Sequence, residues 1–370
     1  MSADSLAARL QAALTRRRTP RPVSFFEFWP GFVFYAPVVV FWIAQSIRHR
    51  SVTLPTLTNP LIEAGGVCGE SKTDILDQMG PVGREFLAPY VGITTLGVVG
   101  ADNVHMAEAA MRAQNLTHPA VAKPDMSCNG AGVRVIADRA DLARYLAEFP
   151  PATRMQLQAL VPDEGEAGIF YVRMPGAAQG QITSITLKHA PVVVGDGVRT
   201  IRALIDADAR LAAVAGILLP KLGAEAARIP AKDERVRLVF VGNHCRGSTF
   251  KDGRHLITPT LSARIEAIAR DLPEFHFGRF DVRFSTVAKL RQGEGFKIIE
   301  VNGAGSEATH IWDPETTIFE AYRAQFFHYG AAFRIGAMLR AQGRKPYGLW
   351  RLLQAWQRQK ALMARYPAND

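Results

Sequence analysis

The sequence has few cysteines, and none of them has a spacing that indicates a structural role. Cys68, Cys128 and Cys245 are the three cysteines among 370 residues. They lie far apart, are odd in number and match no metal-binding or disulfide pattern, so we expect free thiols in a reducing compartment. The chain also lacks an internal repeat, a Walker A sequence and a Rossmann fingerprint. Zinc domains, disulfide-stapled secreted domains and the two commonest nucleotide-binding motifs are therefore not indicated.

Acidic residues are outnumbered by basic ones, and the formal net charge is +10. Such a charge suits nucleic acid, anionic lipid or a phosphorylated substrate. The basic residues are spread along the chain and accompany no zinc-finger or ribonucleoprotein motif, so no nucleic-acid partner is expected. An apolar content of 48% and a charged content of 21% are globular values, and the length allows two or three lobes. Nothing in the sequence specifies an oligomeric state.

One long hydrophobic run lies near the amino end, over residues 25–47. It contains Glu27, Pro30 and Pro37, and arginines flank it on both sides. A signal peptide is not expected, since the run starts late and no small-residue cleavage site follows. The run barely reaches the ~20 residues of a spanning helix, and Pro37 would kink a helix. Spanning, interfacial and buried core helices remain alternatives; we favour membrane association, on the inner face of the membrane of a cytoplasmic protein.

A pair of alternating segments carries the most informative polar residues. In residues 277–284, Arg279 and Asp281 share one strand face, and in residues 296–302, Glu300 and Asn302 do the same. The polar, glycine-containing stretch 289–295 between them predicts a hairpin. Folding back would collect hard oxygen ligands of the kind that Mg²⁺ prefers alongside substrate phosphates. The alternative is two amphipathic strands with a solvated charged face.

A second chemical signal begins at Lys123, at the end of the predicted strand 120–124. The small-residue loop 125–132 follows it. Glycine-rich loops let backbone N–H groups approach phosphate oxygens, and a strand-borne lysine adds a positive charge. The alternative is an exposed lysine before a surface hairpin. Strands and helices are mixed along the chain, and strands are often adjacent, which favours an α+β fold.

The order of these signals resembles the ATP-grasp superfamily, in particular the D-alanine–D-alanine ligases and the cyanophycin-synthetase-like carboxylate–amine ligases. The resemblance covers roughly residues 65–315 and is strongest over Phe277–Val282 and Ile299–Asn302. It implies two α+β lobes that clasp ATP, with an apolar helical segment before them and a basic helix after them. The implied division is a basic arm and apolar membrane-associated segment (1–50), a helical linker region (51–118), a small lobe (119–190), a carboxyl lobe with the magnesium site (191–318) and a helical tail (319–370).

The resemblance also implies roles for individual residues. Arg279 would stabilise the oxyanion of a tetrahedral intermediate, and Asp281, Glu300 and Asn302 would ligate Mg²⁺, for which Mn²⁺ could substitute. Gln158 stands where the family usually has glutamate, and Glu164 competes with Glu166 for the ribose. The residues implied to bind ATP are Lys72, Lys123, Ser127, Gly130, Gly132, Gln158, Val161, Glu166 and Lys188.

The activity implied by the resemblance is ATP- and Mg²⁺-dependent ligation of a small-molecule carboxylate to an amine, through an acylphosphate and with release of ADP. A phosphotransferase, or a membrane-peripheral ATP-binding scaffold without turnover, are the alternatives. Residues 303–310 lack the Pro-Gly of the ligases, so D-alanine is not the expected substrate. Ser306, Glu307, Thr309 and His310 are candidates to contact another acceptor, or they cap the next helix.

Overall fold

The described residues form three β-sheets surrounded by helices. The computed structural model describes residues 23–97, 100–240, 242 and 247–369. The basic arm of residues 1–22 and Cys245 lie outside the described residues. The described strands are β1 Tyr90–Thr94, β2 Ala120–Pro124, β3 Arg134–Ile136, β4 Arg154–Ala159, β5 Gly165–Val172, β6 Gln181–His189, β7 Val192–Val194, β8 Arg235–Arg237, β9 Thr249–Asp252, β10 Phe277–Phe284 and β11 Phe296–Asn302.

The described helices range from single turns to more than six turns. They are α1 Gly31–His49, α2 Lys72–Asp77, α3 Pro81–Arg84, α4 Ala101–Ala113, α5 Arg139–Glu148, α6 Ile201–Ala207, α7 Ala209–Ala213, α8 Ala215–Leu222, α9 Pro259–Asp271, α10 Val287–Arg291, α11 Ile318–Ala341 and α12 Leu349–Met363. Side-chain caps set the first residue of several helices. Ser71 caps α2, Asp138 caps α5, and Thr317 and Glu320 form a capping box at α11.

The smaller of the two main sheets has four antiparallel strands in the order β1-β4-β2-β3. Helices α4 and α5 cover it, and their apolar faces form one core with the strands, including Met111, Tyr145 and Leu157. The strand at 120–124 agrees with the sequence prediction. This sheet places the strand that carries Lys123 beside the strand that carries Gln158.

The larger sheet has five antiparallel strands in the order β11-β10-β5-β6-β9. Strands β5 and β6 fall within the predicted 119–190 segment, yet they pair with β10 and β9 rather than with the four-stranded sheet. The buried residues Ile169, Phe280 and Ile298 pack with helix α9. Three neighbouring strands thus present Glu166, Lys188 and Asp281 toward one another.

The predicted folding back of strands β10 and β11 on each other is confirmed, and the connection between them contains a short helix that was not predicted from the sequence. Arg279 lies opposite Asn302, Asp281 lies opposite Glu300, and the register shifts between Asp281 and Val282. The segment 289–295, expected to be a hairpin turn, instead includes part of the helix α10, because the Thr286 side chain caps that helix. Two glycines with positive φ then return the chain to β11.

The carboxyl-terminal segment contains two helices where the sequence predicted one helical stretch. Helix α11 ends at Ala341, and α12 begins at Leu349. Gly343 between them adopts a positive φ of 89°, and Pro346 cannot continue a helix with a hydrogen bond. The break lets α12 turn away from α11 and reach the four-stranded sheet, where Tyr366 stacks on Phe149.

The amino-terminal apolar run forms α1, which continues through Pro37. One face of α1 packs on α11 and its surroundings: Phe34 contacts Trp312, and Trp42 contacts Phe333. The opposite face is exposed and apolar, with Phe32 80% and Ile47 73% exposed. By length and hydropathy α1 is also the one helix among the described residues that could cross a membrane.

Candidate active site

A cavity of about 910 Å³ lies between the two main sheets and is closed by α1 and α12. Of the residues singled out from the sequence for ATP, metal and oxyanion binding, all except Gly132 line it. These are Lys72, Lys123, Ser127, Gly130, Gln158, Val161, Glu166, Lys188, Arg279, Asp281, Glu300 and Asn302. The structure therefore brings into one space residues that are up to 230 positions apart.

At the floor of the cavity, Asp281 forms a buried ion-pair cluster. The Arg279 guanidinium contacts both carboxylate oxygens of Asp281, at 2.8 and 2.9 Å, and Lys188 Nζ lies 3.2 Å away. Burial by itself would raise the pKa of Asp281, but Arg279 and Lys188 together lower it to about 2. Asp281 is therefore an anion throughout the physiological range. The Asn302 amide lies 3.3 Å from the same carboxylate.

Glu166 takes part in the same cluster from the neighbouring strand β5. Lys188 Nζ lies 3.3 Å and Arg283 Nη2 3.6 Å from its carboxylate oxygens. Its side chain is 9% exposed, so these cations hold it in place. Glu164, the competing candidate for a ribose contact, is exposed just before β5. The structure brings Glu166 to the cavity wall and does not place Glu164 there.

Lys72 lies between the carboxylate of Glu300 and the glycine-rich loop that follows β2. It begins α2, which Ser71 caps, and its Nζ lies 3.3 Å from Glu300 and 2.5 Å from the Ser127 carbonyl. Asp125 accepts hydrogen bonds from the backbone and the hydroxyl of Thr73 and so fixes this turn against the loop. A cation thus spans the space between Glu300 and the loop that follows β2.

Lys123 reaches the same space from β2. Its ammonium group donates to Gln158 Oε1 at 2.6 Å and to the Ile299 carbonyl at 3.2 Å. Burial lowers the pKa of Lys123 to about 8, although Glu300 opposes the shift. The Gln158 Nε2 atom is buried and lacks a partner among the described residues. An acceptor atom of a ligand can therefore accept a hydrogen bond from this buried, unpaired donor beside the Lys123 ammonium group.

The glycine-rich loop is held from outside by the carboxyl-terminal tail. Ser127 and Gly130 line the cavity. Gly132 does not line it, and its backbone N–H donates to the Asn369 side chain at 2.9 Å. Asn369 also donates to the Gly130 carbonyl, and Tyr366 donates to the Met126 carbonyl. The loop therefore lines the cavity with residues 127–130 and is hydrogen-bonded to the tail through Met126, Gly130 and Gly132.

The candidate acceptor loop divides into residues that face the cavity and one that does not. Ser306, Glu307 and Thr309 line it. His310 is buried against Ser184, with 2.7 Å between Nδ1 and the hydroxyl, and burial lowers its pKa to about 4. His310 is thus a neutral packing residue rather than an acceptor contact.

Several cavity residues were missed by sequence reasoning. Glu27 and Tyr35 come from the apolar run, and Trp356 and Gln359 come from α12. Glu70 also lines the cavity; burial raises its pKa, and its Oε2 atom lacks a partner among the described residues. No local pattern distinguishes these residues, because only long-range packing brings them to the site.

The donor set is suitable for Mg²⁺ when it is completed by phosphate oxygens. Asp281 and Glu300 face each other across β10 and β11, and the Asn302 amide adjoins them. Two carboxylates with an amide oxygen are the donors that Mg²⁺ uses when substrate phosphates supply the rest. Within the described residues, no group of three or more His, Cys, Asp or Glu could hold a metal ion by itself. A metal ion bound between Asp281 and Glu300 would therefore need further donors from a bound ligand.

Comparison with protein-family models and with curated proteins found no match. Among solved structures, the chain is similar to a bifunctional glutathione synthetase from Pasteurella multocida (16% identity, TM-score 0.36, covering 66% of this chain and 35% of that one). It is also similar to a D-Ala:D-Ser ligase from Enterococcus faecalis (14%, 0.38, 72% and 64%). A third similar structure is the D-alanine-D-alanine ligase from Coxiella burnetii (7%, 0.40, 80% and 64%).

The chain thus spans between about a third and two thirds of the length of these proteins. They are ATP-grasp ligases, the superfamily that the sequence resembles. Because every identity is below 25% and every TM-score is below 0.5, these likenesses carry no argument about activity.

Proposed function

We propose that the chain is an ATP- and Mg²⁺-dependent ligase that joins a carboxylate to an amine and releases ADP and phosphate. One observation carries this proposal. Lys72, Lys123, Lys188 and Arg279 converge in one cavity with the paired carboxylates Asp281 and Glu300. Phosphoryl transfer depends mostly on positioning and on neutralising charge with cations and metal, and this cavity concentrates both means.

Each charged residue has a distinct part in the proposed reaction. Lys123 and Lys72 bind phosphate oxygens under the glycine-rich loop, and the orphan Nε2 of Gln158 donates to the base. Asp281, Glu300 and Asn302 would hold Mg²⁺, which supplies charge neutralisation to the transferring phosphoryl group. Arg279, already oriented by Asp281, stabilises the oxyanion that forms when the amine nitrogen attacks the activated carbonyl carbon.

The experiment is a two-substrate screen for ADP release by the full chain. Pools of carboxylates and amines are supplied singly and together with ATP and Mg²⁺. A ligase releases ADP at a rate that requires both pools. Release that needs only one pool and yields a stable phosphorylated product would favour a phosphotransferase. Tight nucleotide binding without turnover under any combination would favour a scaffold.

We also propose that the protein lies on an anionic membrane surface through α1 and α12, on the cytoplasmic side. Phe34 and Trp42 on one face of α1 belong to the protein core, which favours a helix lying on a membrane over one crossing it. The opposite face is apolar and exposed, and Arg48 follows it. Helix α12 adds the exposed Trp350. Apolar faces with basic flanks are typical of interfacial helices.

Sedimentation with phosphatidylglycerol and phosphatidylcholine vesicles tests this attachment. We expect binding to the anionic vesicles that falls more than about tenfold in the double variant Val40→Asp, Ile43→Asp, since each side chain contributes about 1.5–3 kcal/mol of apolar burial. Val287→Asp, on the exposed surface of α10, is the matched control. A wild-type chain that stays in the supernatant with both lipids contradicts the attachment.

A further inference from the structure

Glu307 occupies an unusual position in the cavity. It lies in the loop that follows β11, and its carboxylate accepts hydrogen bonds from three uncharged donors. Tyr35 donates through its hydroxyl at 3.0 Å, Trp312 through its indole N–H at 2.7 Å, and Gln325 through its amide. The donors come from α1, from the turn after the loop and from α11. Three distant parts of the chain therefore fix the direction of one carboxylate.

This carboxylate has no cationic partner within the part of the chain that the structure describes. Salt bridges within 4.0 Å engage Glu166, Asp281 and Glu300, but none engages Glu307. The nearby Arg279 donates through Nη1 to the main-chain carbonyl of Glu307 at 3.0 Å. Its Nε and Nη2 atoms donate to the carboxylate of Asp281. Glu307 thus faces the cavity without a direct ion pair, although the Arg279 guanidinium lies nearby, and its carboxylate is open to a cationic group of a ligand.

Aromatic rings surround the approach to Glu307. Phe34 packs on Trp312 with 4.6 Å between the ring centroids, and Trp29 and Tyr35 line the same part of the cavity. Aromatic faces attract organic cations, and the attraction is strongest where water is displaced. A carboxylate bounded by rings selects a positively charged group on an apolar stem and disfavours a second carboxylate.

We infer that Glu307 and these rings form the subsite that receives the protonated amino group of the amine substrate. This inference rests on the proposed function and extends it, because it assigns the second substrate to the class of primary organic ammonium ions. It also gives α1 a direct part in the site, through Tyr35. Glu307 acts here as a specificity-determining residue: it binds the ammonium form, and the nitrogen attacks the acylphosphate only after it has released a proton to solvent.

Binding of simple ammonium probes tests this subsite without requiring turnover. The full chain is titrated at pH 7 with n-butylamine and benzylamine, and in parallel with n-butanol and benzyl alcohol, which match them in shape but carry no charge. Tryptophan fluorescence reports binding, because Trp312 donates directly to Glu307. We expect the wild-type chain to bind at least one ammonium about tenfold or more tightly than its alcohol, as hydrogen bonds to charged groups allow.

The variant Glu307→Gln should lose this preference, and Glu307→Asp, which keeps the charge, should retain part of it. Glu315→Gln alters an exposed carboxylate nearby and serves as the matched control. Equal binding of ammonium and alcohol by the wild type, no binding of either ammonium, or an unchanged preference in Glu307→Gln overturns the subsite. If a variant does not fold, the wild-type comparison of ammonium with alcohol still decides.

A kinetic readout separates this inference from the proposed function. Hydroxylamine, which is mostly uncharged at pH 7, can trap an acylphosphate without the ammonium subsite. In Glu307→Gln, the rate of ATP- and carboxylate-dependent hydroxamate formation should therefore fall less than the rate of reaction with the amine, whose KM rises. Absence of hydroxamate in the wild type contradicts the proposed ligase activity, whereas an unchanged amine KM in Glu307→Gln contradicts only the subsite.

Discussion

The two ends of the cavity differ in how they handle charge. At one end, the strand residues Asp281 and Glu300 are paired with Lys188, Arg279 and Lys72 at 2.8–3.3 Å. At the other end, Glu307 is held by neutral donors and aromatic rings. Ion pairs whose partners can be replaced by a phosphate and a metal ion suit the activation end, the end of the cavity where ATP would activate the carboxylate. A carboxylate that lies among aromatic rings and has no direct ion pair suits recognition of a cation.

The ends also differ in the kind of contact that brings their residues together. The activation end relies on adjacent strands, so its residues are fixed by pairing register. The recognition end combines α1, α11 and a loop, which meet through packing alone. Variants at the first end should therefore impair chemistry, and variants at the second should impair binding or folding.

The largest expected effect is on turnover, in Glu300→Gln. Its side chain is 29% exposed, so the fold should tolerate the change, while the metal loses a carboxylate. We expect ADP release to fall by about 10²–10³-fold, the range seen when a single charge-stabilising group is removed. Glu315→Gln should behave as wild type. Full activity of Glu300→Gln would contradict the metal assignment.

A stability effect is expected at the recognition end, in Glu27→Gln. Arg210 contacts both carboxylate oxygens of Glu27, at 2.8 and 2.7 Å, and the Glu27 side chain is fully buried. Removing the charge should lower the free energy of unfolding by about 1.5–3 kcal/mol, the contribution of hydrogen bonds to charged groups. Urea denaturation measures it. A change below about 0.5 kcal/mol, usual for surface sites, would show that this pair does not anchor the amino-terminal segment.

A pH effect is expected at the activation end, from Lys123. Burial lowers its pKa to about 8, so the cation is present below that value and is lost as the pH rises through it. Nucleotide affinity should fall about tenfold between pH 7 and 9, following the protonated fraction. Lys123→Arg stays charged and should give a flat profile. Parallel profiles for the two proteins would exclude Lys123 as the titrating group.

The smallest effect is expected from the tail that holds the glycine-rich loop. Tyr366 stacks on Phe149 at 5.5 Å and donates to the Met126 carbonyl. Tyr366→Leu should cost about 0.5–1.5 kcal/mol of stability, the contribution of an aromatic pair. The KM for ATP should rise modestly while the amine KM stays constant. A rise in the KM for the amine alone would contradict the assignment of ATP binding to the activation end and amine binding to the recognition end.

The strand pairing at the activation end could be predicted from the sequence because its signals are local. Alternation along residues 277–284 and 296–302 sets which side chains share a face, and the observed register places Asp281 opposite Glu300 as expected. The small-residue loop after Lys123 has a similarly local signature. The helix α10 between the strands could not be predicted from the alternation pattern, because its start depends on a single side-chain cap at Thr286.

The recognition end could not be predicted from the sequence for a physical reason. Tyr35 and Gln325 meet at Glu307 only because one face of α1 packs on α11, and hydropathy alone does not distinguish that face from the exposed one. The break at Gly343 that redirects α12 over the cavity likewise depends on tertiary contacts such as Tyr366 with Phe149. Glu70 lines the cavity without any distinguishing motif.

The most direct test of the central claim is hydroxylamine trapping of the activated carboxylate. The wild-type chain is incubated with ATP, Mg²⁺, hydroxylamine and a carboxylate pool, with Glu300→Gln as the inactive control. We predict hydroxamate and ADP in equal amounts, both dependent on the carboxylate and both lost in the variant. ADP without hydroxamate, or no carboxylate-dependent ADP with any pool, would contradict the assignment of this cavity to carboxylate activation.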